Sequence, residues 1–159
     1  MAIFWRDKLF LAAIESTYGN EEVPAGAGAI LAKEIRITPM EGKDIDRELE
    51  LPYFGSQGTV PSELHAKVSF KIEVAPSGAA GTPPAWGPML RGCGIAETIS
   101  AGTSVTYNPI TNDPESLTFH FVNGGTRYTM IGSRGTANIE FVAQDIPYWM
   151  LDFTGLFVL

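Results

Sequence analysis

Polar and apolar residues alternate along most of this chain with the period of two that belongs to a strand half-buried on a sheet. Ala66 to Ala75 (AKVSFKIEVA) shows the pattern most plainly: Val68, Phe70, Ile72 and Val74 share one face, and Lys67, Ser69, Lys71 and Glu73 the other. Ala29 to Thr38 (AILAKEIRIT) predicts another strand, apolar on one face and charged on the other in its second half. In Asp44 to Leu51 (DIDRELEL), Ile45, Arg47, Leu49 and Leu51 oppose the carboxylates of Asp44, Asp46, Glu48 and Glu50. Four like charges on one strand face repel one another, which predicts a face that is solvated, met by cations, or set against stray edge pairing. Lys8 to Ser16 (KLFLAAIES) suits strand or helix by periodicity alone, and Asn20 to Gly28 reads as a loop.

Further strands are predicted at Ala96–Ser100, Ser104–Asn108, Ser116–Val122, Thr126–Gly132, Ala137–Ala143 and Tyr148–Leu159. Asn123-Gly124-Gly125 marks a tight hairpin, because Asn-Gly readily takes the positive φ of a type I′ turn. Strands about ten residues apart with turn residues between them predict a mainly β fold, an antiparallel sandwich or barrel. In SLTFHFV, His120 is out of step with Leu117, Phe119 and Phe121, so it is expected on the opposite, solvent-facing side.

Two stretches break the alternation. Gly78 to Gly94 (GAAGTPPAWGPMLRGCG) predicts one short flanking helix, about 84–93. Thr82 is placed to cap it, Pro83 and Pro84 suit a first turn without N–H partners, and Gly92 and Gly94 suit a left-handed end. Pro88 limits the regular part to about two turns. Trp86, Met89, Leu90 and Cys93 then form one apolar face for core packing. The second stretch, Pro52 to Leu64 (PYFGSQGTVPSEL), reads as a long loop carrying Tyr53 and Phe54. Long loops inside compact domains are usually functional, and Leu51, Pro52, Tyr53, Phe54 and Gly55 are candidates for contact with another chain.

Composition narrows the function classes. At 159 residues the chain suits one domain, 1–159, and its 18% charged and 45% hydrophobic residues are a globular balance. A net charge of −7 argues against gripping nucleic-acid phosphates, though not against a surface that nucleic acid slides past. The single cysteine, Cys93, permits no internal disulfide and makes a structural zinc site implausible. The apolar patch Leu9 to Ile14 is too short for a secretory segment, and no stretch is long enough for a membrane span, pointing to synthesis in a cytoplasm.

No catalytic constellation emerges. His65 and His120 are the only histidines and have no carboxylate or thiol at ligand spacing. There is no G-x-S-x-G elbow or phosphate-cradling glycine loop, and Glu140, Asp145 and Asp152 are scattered over strands and a turn. Arg127 and Tyr128, with Arg134 nearby, are the one hint of a basic-aromatic surface. Neither enzyme nor cofactor is expected.

The segment GAAGTPPAWGPMLRGCGIAETISAGTSVTYNPIT (Gly78 to Thr111) resembles the mid-section of tail tube proteins of long, non-contractile-tailed bacteriophages. LAAIESTYGN (Leu11 to Asn20), RELELPYFGS (Arg47 to Ser56) and GSRGTANIEFVAQDIPYWMLDFTGLFV (Gly132 to Val158) are similar to further segments of that family, in order. Met89 and Gly92 depart from its commoner leucine and alanine. The resemblance implies a sandwich-like tail tube fold flanked by one helix. Its function is structural: self-assembly into stacked hexameric rings enclosing a channel through which DNA passes without specific binding. Other tail proteins are the further partners it implies, and the virion tail is the location, after synthesis in the bacterial host. A further domain beyond residue 159 is expected from the family and from the apolar end Leu156-Phe157-Val158-Leu159. In such a tube the row Asp44, Asp46, Glu48 and Glu50 would line the lumen or an interface, since acidic walls repel phosphates. The alternative is a carbohydrate- or receptor-binding β-sandwich using Trp5, Tyr148 or Trp149 as stacking platforms.

Overall fold

A computed structural model describes residues 8–50, 52, 54, 55 and 58–158. The chain is mainly β and antiparallel, with a β-sandwich-like arrangement. Among the described residues eight strands run in order: β1 Lys8–Ile14, β2 Ala32–Ile45, β3 Val60–Glu73, β4 Ile95–Ser100, β5 Ser104–Pro109, β6 Leu117–Asn123, β7 Thr126–Glu140 and β8 Tyr148–Leu156. Six form one sheet in the order β1-β6-β7-β8-β3-β2, while β4 and β5 pair as a separate hairpin.

The six-stranded sheet curls, and its aromatic side chains show how far. Phe10 of β1 and Phe70 of β3 lie four places apart in strand order, yet their ring centroids are 4.8 Å apart, edge to face. Phe119 stacks on Phe10 at 5.3 Å, and Phe153 meets Phe119 at 4.9 Å. The curl nearly returns β2 to β1: Ala29 bridges Leu11, and the Ile30 amide donates to the Phe10 carbonyl at 2.9 Å. One irregularity lies in β7, where the pairing with β8 shifts register between Ile131 and Arg134. Gly132 sits inside that shift at φ 60°, a conformation a side chain would strain. The sequence's two predicted strands, Thr126–Gly132 and Ala137–Ala143, are therefore one bent strand. Gly155 across from the bend leaves no room for a side chain, since a Cβ there would lie 2.5 Å from Met130 Cγ and 2.9 Å from the Ile131 carbonyl oxygen.

The β6–β7 hairpin closes as expected, with one difference. Asn123 pairs with Thr126, so the two positive-φ turn residues are Gly124 and Gly125, not Asn123 and Gly124. Lys8–Ile14 resolves to strand, pairing with β6 along its whole length.

The helix is shorter than the predicted 84–93. Helix α1 spans Gly87–Arg91, begins after Trp86 with no side-chain cap, and holds Pro88 in its first turn. Pro88 lacks an N–H, and only the first turn of a helix has no acceptor to offer one. That places the start at Gly87 and leaves Thr82, Pro83 and Pro84 in the approach. Gly94 takes the left-handed conformation at φ 76°, but Gly92 is helical at φ −67°. Packing explains Gly92 instead, because a Cβ there would lie 2.7 Å from Leu117 Cδ1.

Candidate functional site

Two predicted elements merge into one feature. The strand expected at Ala29–Thr38 runs on to Ile45, and the loop expected to last until Leu64 ends at Val60. Together they form a long hairpin in which Ile45 pairs with Val60 and Lys43 with Ser62. Pairing between β3 and β8 begins only at His65, so Val60 to Leu64 have β2 as their ladder partner and stand clear of the curled sheet. At about 3.3 Å per residue, this arm projects roughly 15 Å before its loop begins.

The arm places apolar side chains in solvent. Met40, Ile45, Leu49, Val60 and Leu64 are all exposed, and Phe54 in the loop is 109% exposed, as open as the side chain can be. Among the interface candidates, Pro52, Phe54 and Gly55 are exposed, while Leu51 and Tyr53 lie outside the described residues. Lys67 bonds Glu41 at 2.9 Å at the arm's base and holds its carboxyl below the usual range.

The acidic row does not form one strand face. Asp44 is in β2, but the strand ends at Ile45, leaving Asp46, Glu48 and Glu50 in the loop, with Glu48 at φ 44°. Among the described residues the β2–β3 ladder ends at Ile45 and Val60, and Pro52, Gly55 and Gly58 in the connecting loop are poor strand formers. All four carboxylates remain exposed.

Beside the base of the arm an apolar cavity of about 180 Å3 opens into the end of the curled sheet. Phe10, Pro39, Phe121, Tyr128, Met130 and Phe157 line it, with Arg127 at its rim. The Arg127 guanidinium has no hydrogen-bond or ion-pair partner among the described residues. Arg134, grouped with it by sequence, is engaged elsewhere: it donates to the Pro114 carbonyl at 2.8 Å and covers the Tyr18 ring at 4.5 Å.

The predicted helix face does go to the core. Met89 and Leu90 are buried, and Trp86 and Cys93 pack half-buried against the central cluster. Burial pushes the Cys93 thiol up to about 12, which makes it a poor nucleophile at neutral pH. The indole N–H of Trp86 donates to the Ala75 carbonyl at 2.9 Å. Arg91 grips Glu115 with two bonds of 2.6 Å, tying α1 to the segment before β6. Of the stacking candidates, Trp149 packs on the core, Tyr148 lies beneath the Lys33 ammonium at 5.1 Å, and Trp5 is outside the described residues.

Compared with models of known protein families and with curated protein sequences, the chain matches none. Its functional reading therefore rests on its own residues.

His120 departs from expectation. It does point away from the core, but that side is not solvent, and the residue is 3% exposed. The segment from Gly19 to Gly28 crosses the outer face of β6: Glu21 meets His120 Nε2 at 2.8 Å, and the Glu22 amide donates to Thr118 Oγ1 at 3.1 Å. This strap is anchored by Glu15, which directly follows the apolar patch Leu9 to Ile14. Its buried carboxylate accepts from Ser116 Oγ (2.6 Å), Thr118 Oγ1 (2.9 Å) and the amides of Gly132 (2.7 Å) and Gly19 (2.9 Å). Burial raises its pKa, but the four donors together outweigh burial and hold it below the ordinary value.

Proposed function

We propose that this chain is a structural, self-assembling subunit of the tail tube of a long, non-contractile-tailed phage, forming stacked hexameric rings around a DNA channel. The observation that carries the reading is the arm. A two-stranded ribbon is marginal on its own in water, and natural proteins avoid long exposed strands with apolar side chains unless another chain covers them. Met40, Ile45, Phe54, Val60 and Leu64 leave such a surface open in the isolated chain. The net charge of −7 suits a tube wall that phosphates pass without binding.

The test is assembly itself. Sedimentation velocity and negative-stain microscopy on the full chain over a wide concentration range should give ring- or tube-sized particles. A variant with Gly42–Ser62 replaced by a two-residue turn should stay monomeric with its thermal transition retained. A wild-type chain that is monomeric at every concentration overturns the reading.

A further inference from the structure

We propose that Phe54 of one copy seats in the apolar cavity beside the arm base of a second copy, with the acidic loop around it facing Arg127. This rests on the assembly reading above and specifies the contact that makes it. Size supports the fit. The cavity measures about 180 Å3, and an apolar cavity of about 150 Å3 accepts a benzene-sized ring. Its walls are largely rings and aliphatic groups, among them Phe10, Phe121, Tyr128 and Phe157, which favour a phenyl guest through edge and face contacts.

Charge supports it independently. Asp46, Glu48 and Glu50 precede Phe54 in the loop and are exposed, and the guanidinium at the cavity rim is free of partners among the described residues. A carboxylate arriving with the phenyl ring would meet a donor with no partner to displace among the described residues. The occupant belongs to another copy in this arrangement, because the arm leaves the cavity's own edge at Pro39 and Ala66 and Phe54 stands fully exposed at its far end. Knob and hole lie on different surfaces of one chain, so a head-to-tail contact propagates into rings or filaments, whereas a reciprocal exchange of knobs stops at a dimer.

The experiment compares self-association of the full chain, by sedimentation equilibrium, with Phe54→Ala, Arg127→Glu and Ala66→Leu, the last enlarging a side chain that lines the cavity. Each is expected to weaken association about tenfold or more, the loss that follows from leaving a phenyl ring in water. Phe54→Leu should retain most of it. Phe54→Ala should leave the melting temperature unchanged, since the ring is solvent-exposed in its own chain. If Phe54→Ala associates like the wild type while the arm-shortened variant does not, the arm assembles without this knob and the proposal is overturned alone. If the wild type itself never associates, both readings fall. A loss of association at Phe54 that Ala66→Leu and Arg127→Glu do not share also overturns the proposed seat.

Discussion

Replacing Glu15 by glutamine tests whether the strap and the curled sheet are held at one point. Each carboxylate oxygen serves one hydroxyl and one amide: Oε1 takes Thr118 and Gly132, and Oε2 takes Ser116 and Gly19. A glutamine keeps one acceptor oxygen and puts an NH2 group in the other place. A hydroxyl can turn and accept from it, but a backbone N–H cannot. In either orientation, the amide of Gly132 or Gly19 is left facing a donor. The charge-assisted bond lost and the amide stranded together cost about 3 kcal/mol. For a chain of this size that lowers the melting temperature by roughly 6–12 °C at neutral pH. The pH dependence supplies a second readout. The folded pKa of Glu15 lies below its ordinary value of 4.5, so its stabilisation is present above that value and is lost as pH falls through the folded pKa. Thermal melts of the two proteins from pH 7 to pH 3 should therefore converge below pH 4.5. A Glu15→Gln protein that melts within about 1 °C of the wild type at pH 7 would show that the carboxylate does not hold the strap to the sheet.

Gly155→Ala should destabilise strongly, because its Cβ would meet the Ile131 carbonyl at 2.9 Å as well as Met130 and Ser133; circular dichroism melts check this. Gly92→Ala should cost less, about 1–3 kcal/mol, since the tightest neighbour is the Leu117 side chain rather than backbone. Native Cys93 should react with a thiol reagent at pH 8 far more slowly than the unfolded chain, and equal rates in the two states would contradict its burial and raised pKa. Hydrogen exchange of the amides of Val60 to Leu64 should be faster than that of Val68 to Ile72 in the monomer, because only the latter are flanked by ladders on both sides.

The alternation of AKVSFKIEVA was legible because one face is buried and one is wet, and Val68, Phe70 and Ile72 do enter the core. SLTFHFV shows the opposite case. Its period is that of a strand, but no local pattern announces that Gly19–Gly28, some hundred residues earlier, lies across the outer face and buries His120 and Thr118. Glu15 carried the same information in a form that needs three dimensions: its partners at Ser116, Thr118 and Gly132 are more than a hundred residues away in the chain.

The arm shows where sequence patterns and assembly part. DIDRELEL has a strand's period, yet the ladder stops at Ile45 and Val60, because a strand needs a partner as well as a pattern. Beyond that pair lies the loop, in which Phe54 stands fully exposed among exposed carboxylates. A period of two with apolar and acidic positions in turn is what a folded strand shows when half-buried. It is also what a docking segment shows when its apolar positions await another surface. The two are told apart by what lies opposite, and the surfaces offered by the proposed contact are the cavity at the arm's base and the Arg127 guanidinium, which has no partner among the described residues. The loop's alternation is thus the pattern that the proposed contact between two copies requires of it.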